Sequence, residues 1–233
     1  MNRRAARERL IVALDAPTLP QARRLVVALQ PDIRWFKVGS ILFTAAGPEA
    51  VRFIRRRGGR VFLDLKFHDI PTTVAKACAS ATRLGVAMLT LHTQGGLAML
   101  QAARAAVNAA ARARRRKPLL VGVTRLTSDA DASTRVIVRM ARLAKRARLD
   151  GVVAPPSAVT AVRRACGRRF VIVTPGIRPA GSGTDDHAAP AGPAAVLARG
   201  ATFLVVGRPI AEATQPRLAA RQLLTEMERV HGS

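Results

Sequence analysis

Eight short runs of β-type residues alternate with amphipathic stretches along the chain, and that order leaves few folds open. The runs are Leu10–Leu14, Trp35–Gly39, Val61–Leu65, Val86–Leu91, Leu119–Val123, Gly151–Ala154, Phe170–Thr174 and Phe203–Val206. Between them lie helical patterns at Gln21–Leu29, Pro48–Arg57, Thr72–Leu84, Leu97–Arg115, Ser133–Ala147, Ser157–Ala165 and Ala194–Ala198, with a last one at Pro209–Val230. Strands that alternate with helices imply βαβ units and a parallel sheet. Eight such units in 233 residues fit an α/β chain folded as a single (β/α)₈ TIM barrel. The alternative, a doubly wound open sheet, lacks its fingerprint: the first strand leads into "DAPTLPQA" rather than G-x-G-x-x-G. No linker or low-complexity segment divides the chain, so residues 1–233 are expected to form one domain.

Hydrophobic content of 49% against 23% charged residues excludes intrinsic disorder. No apolar run approaches a membrane span. The first one, Leu10–Leu14, stops at Asp15, short of the ~7–15 apolar residues of a signal peptide. A soluble, cytoplasmic protein is expected. Cys78 and Cys166 match no metal or redox spacing and read as buried small hydrophobes. The charge balance is extreme, with 39 basic residues against 14 acidic and a net charge of +25. Such a surplus attracts nucleic acid or another polyanion. Yet arginine dominates and is spread over nearly every expected helix, a pattern that a coding bias toward arginine and alanine also explains. The one dense run, "RARRRKP" at Arg112–Pro118, sits at a helix end, where cations face the dipole favourably. Nucleic acid is expected to bind only non-specifically.

In a barrel the chemistry gathers at the C-terminal ends of the strands. Those ends read Asp15, Lys37, Asp64 with Lys66, His92, Thr124 to Ser128, Pro175 with Gly176, and Gly207 with Arg208. The stretch "RVFLDLKFHDIPTTV", Arg60 to Val74, is the densest of them. Residues two apart in a strand share a face, so Asp64 and Lys66 point together while Leu63, Leu65 and Phe67 turn toward the covering helices. A structural ion pair is the plain reading. Lys37, from the neighbouring strand, shifts the balance: two lysines and an aspartate converge, and flanking carboxylates favour a charged ammonium despite burial. A held ammonium can donate a proton to a carbanion. Asp69, before the helix that starts at Pro71 and Thr72, reads either as an acid facing the helix dipole or as a group reaching a neighbouring subunit.

The loops after the seventh and eighth strands, "VTPGIRP" and "VVGRPI", each pair a glycine with an arginine. In many barrels these loops bind phosphate, with backbone N–H groups of Gly176 and Gly207 and the forks of Arg178 or Arg208 as the means. His92 reads as a packed structural residue, and no His, Asp or Glu spacing forms a metal site.

Together, "LDAP", "FKVG", "FLDLKFHDIPTTV", "VTPGIRP" and "VVGRPI" closely resemble the orotidine 5′-phosphate decarboxylase family, from about Leu10 to Ala213. The resemblance implies a homodimer with sites at its interface. It also implies decarboxylation of orotidine 5′-monophosphate to UMP, in pyrimidine biosynthesis, without metal or organic cofactor. It makes Lys37, Asp64, Lys66 and Asp69 the charged array, with Asp69 entering from the partner subunit. Lys66 becomes the proton donor to C6, and Asp64 holds it beside the substrate carboxylate. Asp15 and Lys37 contact the ribose, with Thr73 reaching across the interface. Thr127, in "TRLTSD", faces the pyrimidine, and Arg178, Gly207 and Arg208 bind the phosphate.

One position departs from the family. His187, in "GTDDHAAPAG", takes the place of a common glutamine in the loop that closes over the phosphate. It is expected to bind there and to make substrate affinity pH-dependent. Two rivals are weighed. A metal-using sugar-phosphate decarboxylase of the same fold also carries D-x-K-x-x-D, but with an acid where this chain has Lys37. A polyanion binder on a barrel scaffold requires a clustered basic face, which scattered arginines do not supply.

Overall fold

The computed structural model describes residues 1–112, 117–124, 133–179 and 192–229. Its eight strands are β1 (Leu10–Ala13), β2 (Trp35–Gly39), β3 (Arg60–Phe67), β4 (Met88–His92), β5 (Leu119–Val123), β6 (Gly151–Val153), β7 (Val171–Thr174) and β8 (Phe203–Val206). They close in sequence order into a barrel, with β8 returning to β1, and each neighbouring pair is parallel. Around it lie α1 (Arg3–Arg7), α2 (Leu19–Leu29), α3 (Ser40–Ala46), α4 (Pro48–Arg56), α5 (Pro71–Leu84), α6 (Gly96–Ala111), α7 (Thr134–Arg146), α8 (Val159–Cys166), α9 (Pro193–Ala198), α10 (Arg208–Ala211) and α11 (Pro216–Glu228). The expected (β/α)₈ barrel is therefore what the chain forms. No described helix is long and apolar enough to cross a membrane.

Period-two alternation sorts the side chains into two apolar layers. Ile11, Trp35, Phe62, Met88, Val173 and Phe203 point inward and fill the barrel, where the Trp35 and Phe203 rings meet edge to face at 5.2 Å. Their alternates, such as Val12, Phe36, Val38, Leu63 and Leu89, join the larger layer between sheet and helices. Cys78 and Cys166 lie buried on α5 and α8, unbonded, as read from the sequence. Burial pushes the Cys78 thiol up to about 12, which leaves it inert at neutral pH.

Three differences from the sequence reading have local causes. The segment Ser40–Ala46 forms α3, which had no separate helical signal; it ends at Gly47, whose φ of 52° and ψ of −145° turn the chain into Pro48 of α4. The expected Pro209–Val230 helix divides into α10 and α11. Pro216 opens the second piece and holds Gln215 out of the helical region, at φ −127° and ψ 80°. Third, β3 runs two residues past Leu65 through an irregularity: Leu63 pairs with Leu89, but the next pair is Phe67 with Leu91. Four residues of β3 thus span two of β4, as in a bulge.

A closed parallel barrel puts every strand-to-helix connection at one end and every helix-to-strand connection at the other. Arg112, which caps α6, and Lys117, which precedes β5, lie at the second end.

Candidate active site

The β3 irregularity builds the site. It sets Lys66 at φ 49°, a left-handed conformation that costs a non-glycine residue about 1–2 kcal/mol. Such strain persists only where surrounding contacts over-determine it. Here the contact comes from Thr90 of β4, which is fully buried. Its hydroxyl accepts the Lys66 backbone N–H at 3.0 Å and donates to Asp64 Oδ1 at 2.9 Å. Thr90 thereby fixes the backbone of one charged residue and the carboxylate of the other.

The second oxygen of Asp64 faces both lysines. Lys66 Nζ donates to Oδ2 at 2.9 Å, and Lys37 Nζ stands 3.8 Å from it. Lys37 in turn donates to Asp15 Oδ1 at 3.0 Å. The result is an alternating chain, Asp15–Lys37–Asp64–Lys66, drawn from the ends of β1, β2 and β3. It rests on the apolar barrel filling and grades from enclosed to open: Asp64 and Lys37 side chains are 11% and 14% exposed, Lys66 is 37% and Asp15 51%. Opposite charges alternate along it, so its most enclosed members, Asp64 and Lys37, each have an ionic partner, the condition under which buried charges are tolerated. Gly39 makes room for this. A Cβ there would stand 3.0 Å from Lys37 Nζ and 3.5 Å from Asp15 Oδ1.

His92 ends β4 with its ring centroid 5.3 Å from that of His68. Burial lowers the His92 pKa; His68 and Lys66 reinforce the shift, and Asp64 opposes it. Its Nδ1 is buried without a hydrogen-bond partner among the described residues. Thr90 and His68 were missed as parts of the site. A threonine at an inward position two residues before a strand-end histidine was the available signal for the first.

On the opposite rim, Gly176 adopts φ 76°, and Arg178 beside it is half-buried. Gly207 precedes α10, and a Cβ there would lie 3.7 Å from Asp15 Oδ2, so the β8 loop abuts the acid that starts the charge chain. Arg208 is exposed at the first position of α10. Asp69 and Thr73 do not join the cluster within this chain. Both are exposed, and Asp69 Oδ1 accepts the Ile70 N–H at 2.6 Å. Thr127 and His187 lie outside the described residues.

With this geometry in view, comparison with known proteins is decisive. The model of the orotidine 5′-phosphate decarboxylase / HUMPS family matches residues 8–223. The chain belongs to this family. Among curated relatives, orotidine 5′-phosphate decarboxylase of Moorella thermoacetica is 50% identical over 99% of this chain and 96% of its own length. That of Syntrophotalea carbinolica is 48% identical over 95% and 96%. Among solved structures, orotidine 5′-phosphate decarboxylase from Lactobacillus acidophilus superposes with a TM-score of 0.82 at 32% identity, covering 94% of this chain and 98% of that one. An uncharacterized conserved protein from Geobacillus kaustophilus gives the same score at 30% identity, covering 94% and 99%. The family's fold and the alternating charge chain at the barrel mouth thus occur together here.

Proposed function

We propose that this chain decarboxylates orotidine 5′-monophosphate to UMP and CO₂ in pyrimidine biosynthesis, using its own side chains and no cofactor. The observation that carries the reading is the Asp15–Lys37–Asp64–Lys66 chain at the mouth of a barrel of this family. Cleavage of the bond to the carboxylate leaves an electron pair on C6 of the pyrimidine. The Lys66 ammonium, ordered by Asp64 and by the Thr90 clamp, gives its proton to that carbon and is later reprotonated from solvent. A cation already in place where negative charge develops needs no reorganisation during the reaction. Asp15 and Lys37 hold the ribose hydroxyls, and Thr127 faces the base. Arg178, His187, Gly207 and Arg208 take the phosphate, whose remote binding energy is expressed as rate.

The metal-using rival is disfavoured by Lys37. Its ammonium lies 3.0 Å from Asp15 and 3.8 Å from Asp64, in the gap between carboxylates that a metal ion would occupy. A homodimer completes the reading, with Asp69 and Thr73 entering the neighbouring site. Ile70, 63% exposed beside Asp69, supports a subunit contact there. The test is turnover of orotidine 5′-monophosphate by purified protein in EDTA, followed by UMP appearance. Chelator-insensitive turnover is expected; activity restored only by added divalent metal would overturn the cofactor-free assignment.

A further inference from the structure

We infer that the N-terminal face of the barrel, the end opposite the charge chain, docks the phosphate backbone of nucleic acid without reading its sequence. The proposal is independent of the activity at the mouth. Closure of the parallel barrel gathers the helix-to-strand connections, and these carry Arg34, Lys117, Arg148, Arg168, Arg169 and Arg199, all exposed. Read along the chain these cations are dispersed; in the fold they share one face.

The acids on the described connections, Glu8, Asp32 and Asp150, are already committed. Glu8 pairs with Arg34 at 3.3 Å and Arg60 at 2.6 Å. Asp32 accepts from Arg217 and Arg221, each at 2.9 Å. Asp150 turns inward to Arg104 at 2.5 Å and to the Leu120 N–H at 2.7 Å. Among the described residues no carboxylate lies within 4.0 Å of Lys117, Arg148, Arg168, Arg169 or Arg199. Helix C-termini draw cations to this end as well, but Arg168 and Arg169 stand beyond the Gly167 cap of α8.

The face also has a recess of about 680 Å³ lined by Arg55, Arg60 and Lys117; Arg60 is paired with Glu8, while Arg55 and Lys117 have no carboxylate within 4.0 Å among the described residues. Two of these cations are held in place. Arg55 donates to the Leu84 carbonyl at 2.9 Å, and the Arg60 guanidinium lies 5.5 Å from the Trp35 ring centroid. An anionic membrane would need apolar anchors, yet the exposed large hydrophobics Val27, Ile41, Ile70 and Leu218 all lie off these connections. Base stacking would need an open aromatic ring, and Trp35 is 4% exposed. Phosphate contacts alone remain, which give salt-dependent, sequence-independent binding.

The experiment is fluorescence anisotropy of a labelled oligothymidylate against the full chain, from about 50 to 200 mM salt. One variant joins Lys117→Gln, Arg168→Gln and Arg169→Gln. A control with the same charge loss joins Arg24→Gln, Arg135→Gln and Arg139→Gln, exposed positions on α2 and α7. Removing three backbone contacts should flatten the log–log salt slope by about 2 and weaken binding about tenfold or more, while the control keeps the parent slope. Oligothymidylate should also bind equally with UMP present. Equal weakening by both triples would reduce the effect to net charge and overturn the proposal. So would absent oligonucleotide binding, or binding to phosphatidylserine vesicles in its place.

Discussion

The two ends of this barrel use the same residue types to opposite effect. At the C-terminal mouth, Lys37 and Lys66 alternate with Asp15 and Asp64 inside a half-closed site, and each charge has its counter-charge within 4.0 Å. At the N-terminal face, arginines outnumber acids, and the acids present are spent on partners such as Arg104 and Arg217. Compensation decides what a cation can do. A paired, partly buried ammonium is held in a defined place for one bond-making event, whereas an unpaired surface guanidinium offers a long-range field and little geometry.

The largest effect should come from breaking the mouth. Lys66→Ala is expected to lower kcat about a thousandfold or more, as loss of a positioned proton donor does, with the melting temperature retained. Steady-state kinetics beside a thermal melt checks both halves. Next in size is a change at the other end that should touch stability alone. Asp150→Ala strips the partner from Arg104, whose side chain is 7% exposed, and should cost about 3 kcal/mol in chemical denaturation with kcat unchanged. A parallel fall in kcat would erase the distinction between the two ends.

Thr90→Val sharpens the account of the mouth itself. Losing the clamp on Asp64 and on the Lys66 N–H should reduce kcat about 5- to 100-fold, consistent with one buried group left unsatisfied. UMP affinity should hold, because the phosphate and ribose contacts are untouched, and Thr90→Ser should recover most of the rate. If UMP binding falls in step with kcat, Thr90 is only a packing residue.

The smallest effect concerns His92. Burial keeps its imidazole pKa lowered, so the fold favours the neutral ring. That stabilisation is fully present above the unfolded value near 6.5 and is lost as pH falls through the lowered folded value. His92→Gln should therefore lose less stability than the parent as pH falls below about 6.5. Matching acid-denaturation curves would remove His92 from the account.

How far these features could be read from sequence depended on whether they were local. The eight strands, the facing of Asp64 and Lys66, and the approach of Lys37 follow from period and order alone. The left-handed turn at Lys66 does not, because it arises from a pairing irregularity with β4 that no residue of β3 announces. The sequence marks Thr90 only as an inward residue near a strand end; its role as a clamp exists only across the β3–β4 seam. The final helix was read as continuous because its apolar period runs through Pro216, which in fact restarts it. The gathering of the helix-to-strand connections does not show along the chain, since residues as distant as Arg34 and Arg199 come to the same end only once the barrel closes.

The contrast between the ends is tested most directly by measuring kcat/KM for orotidine 5′-monophosphate, in EDTA, for Lys66→Ala and for the Lys117, Arg168 and Arg169 glutamine triple. The single change at the mouth is expected to lower kcat/KM about a thousandfold or more, while the triple, which removes three charges, leaves it within about twofold of the parent. Comparable losses in both proteins, or a folded Lys66→Ala that keeps its rate, would contradict it.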